Sequence, residues 1–134
     1  MREPQLESDG WCLDDGEQLQ REAPDTFGLP ALSDRRTLRP GDLVKLVFRI
    51  LVDDAEEPVA VERMWVIVRE RVGKHYLGIL DNDPYAIGEN DLLWSGVEVP
   101  FSARHVIDID RADGAAAPEP VPLPSRFWDR GSRH

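Results

Sequence analysis

Asp81, Asn82 and Asp83 stand in succession ahead of Pro84, and a second acidic run, Asp53-Asp54-Ala55-Glu56-Glu57, lies upstream of them. Carboxylate and amide oxygens are the donors that hard divalent cations take, so a site assembled from the two runs is one chemistry open to this chain. The later run lacks the alternating donors and the distal bidentate glutamate of a dedicated calcium loop. Asx side chains that bond their own backbone explain the same three residues as a turn. The expectation is therefore a turn, with no metal and no cofactor.

Covalent chemistry has even less to work with. Cys12, His75, His105 and His134 are scattered, and no aspartate or asparagine spacing links them into a nucleophile, a base and an orienting group. His105 precedes an apolar run and reads as a packing or capping residue. With 26 acidic side chains, carboxylate pairs of the glycosidase kind arise by chance and carry no weight. No glycine-rich phosphate loop is present. The balance lies against an enzyme.

Aromatic side chains are the better candidates. Trp65, Tyr85 and Trp94 would make a contact platform if they cluster on a rigid sheet, because rigid rings supply area at low entropic cost. An aromatic cage for a methylated amine is a special form of that platform. The competing reading is that an N-terminal arm carrying Trp11, Phe27 and Leu29 covers the Trp65 face. The candidate binding residues are thus Trp65, Asp81, Asn82, Asp83, Tyr85 and Trp94, with no catalytic set.

These residues need a scaffold, and the segment from Gly41 to Asp110 supplies one. Arg39-Pro40-Gly41-Asp42 is a turn that launches a strand over 43–51, with Val44, Leu46, Phe48 and Ile50 on one face. A second strand begins near Ala60 or Val61, with Met64, Val66 and Val68 on one face and Arg63, Trp65, Ile67 and Arg69 on the other. Val72-Gly73-Lys74 reverses the chain into a third strand from about His75 to Leu80, where Gly78 marks a bulge or a close backbone approach. A fourth strand near Gly96 to Phe101, a helical turn at 102–105 and a fifth strand over 106–109 complete the pattern. The fold class is mainly β: a small, strongly bent antiparallel sheet or SH3-like barrel with an N-terminal arm and short helical turns. The alternative is an α+β roll in which residues 14–38 form a real helix.

Outside that core the signals weaken. Trp11-Cys12-Leu13 suits a short strand or an apolar plug, Glu17 to Glu22 a turn or two of helix ended by Pro24, and Ser33 an N-cap for a turn leading to Leu38. The domain expectation is an arm over 1–40, a core over 41–111 and a disordered Pro/Ala-rich tail over 112–134. Within that tail, Arg126-Phe127-Trp128 is either a docking motif or a segment that folds back over the barrel.

Sixteen basic against 26 acidic residues give a net charge of -10, which repels phosphate backbones and argues against a nucleic-acid partner. The excess lies in residues 1–111, since 112–134 carry 3 of each sign. One cysteine excludes an intrachain disulfide. Residues 1–10 hold no apolar run of the kind a secretory leader needs, and no window approaches the length of a membrane span, so the expected setting is cytoplasmic, with no membrane partner.

Gly41-Asp42-Leu43-Val44-Lys45-Leu46-Val47-Phe48, Glu62-Arg63-Met64-Trp65-Val66, Gly78-Ile79-Leu80-Asp81-Asn82-Asp83-Pro84 and His105-Val106-Ile107-Asp108-Ile109 together resemble a family of small bacterial domains of unknown function. Pro24-Asp25-Thr26-Phe27 with Leu29-Pro30 is similar to its lead-in. The resemblance covers about half of the chain. It implies a relation to domains regarded as immunity proteins of bacterial toxin systems. The expectation is a protein-binding module, including an immunity-like inhibitor of a basic partner, of unspecified oligomeric state. The alternative is an accessory domain that binds a small ligand or peptide in a pocket between the barrel and the N-terminal arm.

Overall fold

Strand alternation organises the molecule. In the computed structural model, which describes residues 1–88, 92–111 and 121–131, the long strands are β2 (Leu43–Leu51) and β3 (Val59–Val72). They pair antiparallel from Leu43 opposite Ile67 to Leu51 opposite Val59. Val44, Leu46, Phe48 and Ile50 on β2 meet Met64, Val66 and Val68 on β3 in the core, since every second side chain falls on the same face. The two-residue turn Gly73-Lys74, with Gly73 at φ +61, returns the chain into β4 (His75–Leu80). β5 (Glu98–Phe101) follows, then a single 3-10 turn (Ala103–His105) and β6 (Asp108–Asp110).

The sheet bends into a half-barrel because β6 returns to the far edge of β2. β1 (Trp11–Leu13) shares that edge, pairing with Phe48–Ile50 while β6 pairs with Leu43–Lys45. Between them the Asp14 amide donates to the Val47 carbonyl and the Ile107 amide to that of Lys45. The opposite edge, along β5, is covered too: the Ser125 amide donates to Gly96 and the Glu98 amide to Arg126, in parallel alignment. Occupied edges remove the unpaired backbone groups that invite strand addition from another chain.

A bulge between Val68 and Glu70 on β3 falls opposite Gly78 and Leu77 of β4. Both readings of Gly78 hold at once there. A Cβ at Gly78 would lie 2.5 Å from Val66 Cγ1 and 2.6 Å from the Ile67 carbonyl oxygen, so the strands approach as closely as they do because that side chain is a hydrogen.

The bent sheet with short helical turns is the architecture expected, and the α+β roll is not formed. Within 14–38 the helices are α1 (Gly16–Glu22) and α2 (Leu32–Arg35), separated by a stretch bounded by Pro24 and Pro30. Asp15 caps α1 by accepting from the Gln18 amide. Ser33 lies inside α2, where Ala31 takes the cap position.

Two further expectations change. Trp11 does not cover the outer face; opposite Ile50 it shares the inward phase of β2 and is 1% exposed, its ring 5.8 Å from that of Phe48. Phe27 does reach the outer side, under the Arg63 guanidinium. The tail reading also fails where the chain is described: residues 121–131 are packed on the barrel, and Trp128 is 8% exposed. Residues 112–120 and 132–134 lie outside the described residues.

The docked segment closes the gap between β5 and β1. Trp128 meets Trp11 edge to face at 5.8 Å, donates from Nε1 to the Arg2 carbonyl, and carries the Arg2 guanidinium 4.3 Å from its ring centroid. Beneath it, Glu98 is wholly buried, and its carboxylate accepts two bonds from Arg130, at 2.7 and 2.8 Å, and one from the Trp128 amide. A buried carboxylate is tolerated only with such compensation, so Glu98 and the 121–131 segment depend on each other.

Candidate functional site

The loop after β4 begins where the sheet pairing continues. The Asp81 amide donates to the Trp65 carbonyl, and Asn82 Oδ1 accepts from the Trp65 amide at 2.7 Å. Asp83 Oδ1 accepts from the Ser95 amide at 3.1 Å. Asn82 thus ties the loop to β3 and Asp83 ties it to the chain at Ser95, both across more than ten residues and not to their own backbone as an Asx turn would. Asp81 and Asp83 remain exposed. Among the described residues no group of three or more His, Cys, Asp or Glu is arranged to hold a metal ion.

Glu62 completes the loop. Its carboxylate accepts from the Tyr85 amide at 2.7 Å and from the Ala86 amide at 2.9 Å, across more than twenty residues of chain. Charge-assisted bonds of this kind are about twice as strong as neutral ones. Tyr85 consequently rides on an anchored backbone, yet its side chain is 97% exposed.

Trp65, Tyr85 and Trp94 do not meet. Trp65 is half-buried on the outer face under the Lys45 ammonium, 4.9 Å from its ring. Trp94 faces the docked C-terminal segment, donating from Nε1 to Ser125 Oγ at 3.0 Å with the Arg126 guanidinium 4.6 Å from its ring. Tyr85 is the member of the trio that stands in solvent.

The loop runs along β3 from Trp65 toward Glu62, and so toward the hairpin that joins β2 to β3. In that hairpin the Asp54 carboxylate accepts from the Glu56 and Glu57 amides, which holds the turn and directs the acidic side chains outward. Asp53, Asp54, Glu56, Glu57 and Asp81 have no cationic partner among the described residues. Leu51 and Val61, at the same end of these strands, are 42% and 53% exposed. One end of the half-barrel thus presents an exposed tyrosine and two aliphatic side chains within unpaired negative charge.

Glu62 and Glu98 were missed as determinants from sequence. Glu62 carried a signal: it falls in the inward phase of Met64, Val66 and Val68, where an acidic residue needs a buried partner. Glu98 sits among Val97, Val99 and Phe101 and posed the same question, but its partner lay in a segment read as disordered.

His105 is buried and closes a capping box with Ser102. Its Nδ1 accepts the Ser102 amide at 2.9 Å, which leaves the ring proton on Nε2, facing Glu3 Oε1 at 3.8 Å. Burial, reinforced by the Arg104 charge and opposed by Glu3 and Asp15, lowers its pKa from 6.5 to about 4, and His75 adds a small push downward. The folded protein therefore favours the neutral ring. Stability associated with it is fully present above about pH 6.5 and is lost as the pH falls toward 4. Denaturant titrations should register up to roughly 3 kcal/mol of loss over that window, and His105→Gln should flatten this part of the profile. An unchanged profile in the variant would assign the acid sensitivity elsewhere.

No helix among the described residues is long and apolar enough to cross a membrane. No family model, no curated protein and no solved structure matches the chain.

Proposed function

We propose that the protein is a binding module whose acidic end receives a basic protein partner, with Tyr85 as the anchor. The observation that carries this reading is Tyr85 itself, 97% exposed on a loop tied to the sheet by Glu62. A ring held on fixed backbone brings large contact area with little left to order on binding, the property that makes tyrosine frequent among interface hot spots. Leu51 and Val61 extend the apolar contact, and the uncompensated carboxylates around them attract a cation-rich surface and speed encounter. An immunity-like inhibitor that masks the basic site of a toxic enzyme is one form of this module.

The reading is tested by placing a photo-crosslinking p-benzoylphenylalanine at position 85, and separately at exposed Glu22 on α1, in cells of the source organism. A basic protein captured at 85 and not at 22, shed at high salt and lost with Glu56→Lys/Glu57→Lys, supports it. Identical captures from both positions, or a partner indifferent to the charge reversal, would refute it. Tyr85→Ala in the purified pair should weaken binding roughly 30-fold or more, corresponding to about 2 kcal/mol.

A further inference from the structure

The opposite end of β3, about 45 Å of strand away, carries the reverse charge. There the Gly73-Lys74 turn, α2 and the 3-10 turn after β5 enclose an open cleft of about 490 Å³ between the barrel and the N-terminal arm. Arg36, Arg71, Lys74 and Arg104 line it, with Ser102 and the partly exposed Leu32 at its wall.

Charge bookkeeping within the cleft separates these cations. Arg104 is spent on Glu3 and on Asp15, 3.5 Å away. Glu17, the acidic residue of the lining, is neutralised by Arg35 at 2.8 Å. Arg35 is 5% exposed and also donates to the carbonyls of Pro30 and Ala103, locking α1, α2 and the 3-10 turn together behind the cleft. Arg36 and Lys74 have no acidic partner among the described residues. Arg71 is held by backbone alone: its Nη1 donates to the Arg36 carbonyl at 3.0 Å and its Nε to that of Gly73 at 3.1 Å, with the guanidinium 5.4 Å from the Tyr76 ring centroid. Those two bonds fix the guanidinium plane and leave Nη2 free.

Three uncompensated cations in one concavity are an unusual concentration for a chain of net charge -10, and their mutual repulsion is relieved by an anion between them. We propose that this cleft binds the phosphoryl group of a small phosphate ester. A prefixed guanidinium matches the planar, bidentate geometry of a phosphate edge, and an ammonium adds a point charge. Leu32 offers apolar contact to the organic portion. The acidity of the far end does not oppose binding, since the Debye length at physiological ionic strength is about 8 Å. The inference gives the pocket anticipated between barrel and arm a location and a chemistry, and it stands independently of the acidic-end reading.

Titration of the full chain with sodium pyrophosphate at constant ionic strength, followed by amide chemical shifts, tests it. Saturable shifts at Arg36, Lys74, Ser102 and Arg104 with half-saturation below about 1 mM are expected. Arg36→Glu/Lys74→Glu, both exposed positions, should raise that value at least tenfold, whereas Lys45→Glu on the outer face should leave it unchanged. Shifts that never saturate, that centre on Arg2 and Arg126 instead, or that survive the double reversal would overturn the proposal.

Discussion

Trp128→Ala is expected to lower the unfolding free energy by about 3–5 kcal/mol, the range for removing a large buried aromatic side chain. The indole fills the gap between β5 and β1, so its loss leaves Trp11 without its edge-to-face neighbour and the Arg2 carbonyl without its donor. For a domain of this size the change corresponds to a fall of about 10–15 °C in Tm, measured by circular dichroism. Trp128→Phe keeps most of the apolar volume but cannot donate to Arg2, and should cost about 1–2 kcal/mol. Phe127 is 54% exposed, and its replacement by alanine should cost far less than that of its neighbour. If Trp128→Ala and Phe127→Ala were equally mild, the docked segment would not be sealing the barrel.

Gly78→Ala should cost about 3 kcal/mol although it adds a single methyl group. The added carbon would stand 2.5 Å from Val66 Cγ1 and 2.6 Å from the Ile67 oxygen, distances that Cβ atoms do not tolerate. Val66 is fully buried, so its side chain has no free space to enter, and the backbone oxygen belongs to the central strand pairing. Inserting atoms into a filled core typically costs about 1–3 kcal/mol, and contact with backbone places this case at the upper end. Val66→Ala combined with Gly78→Ala should recover only part of the loss, because the carbonyl clash persists. Chemical denaturation of the two single variants and the double variant measures the coupling. Full recovery in the double variant would mean that the strand spacing adapts and that the carbonyl is not a constraint.

The barrel was legible because its signals are local. Alternation along Val44–Ile50 and Met64–Val68 sets which face is buried, the Gly73-Lys74 pair sets the reversal, and Gly78 announces a tight approach. Asn82 and Asp83 were read as bonding their own backbone, whereas they accept from the distant amides of Trp65 and Ser95, partners that no local window reveals. Tyr85 is exposed, but Trp65 and Trp94 do not gather around it, since whether three rings converge depends on loop paths that spacing does not encode. The outer-face assignment of Trp11 failed on register. A three-residue strand pairs with whichever edge is open, and only the pairing opposite Ile50 turns its indole inward. The docked segment was hidden by composition, because the proline and alanine of 112–124 outweighed Trp128 and Arg130. Their partners, Arg2 and Glu98, lie too far away in sequence for any window to connect.

The bond from Trp128 Nε1 to the Arg2 carbonyl spans 126 residues, nearly the whole chain. Bringing such distant points together costs loop-closure entropy that nearer contacts must first offset, so the seam adds to the contact order of a sheet already slow to assemble. Assembly is therefore ordered: the β2–β3–β4 meander can form from neighbouring strands, whereas the Trp11–Trp128 junction requires the barrel beneath it. A junction made after the rate-limiting step leaves the folding rate nearly untouched and acts on the rate of opening. Substitutions at the Trp11–Trp128 junction are thus expected to speed unfolding, and those in the β2–β3–β4 meander to slow folding.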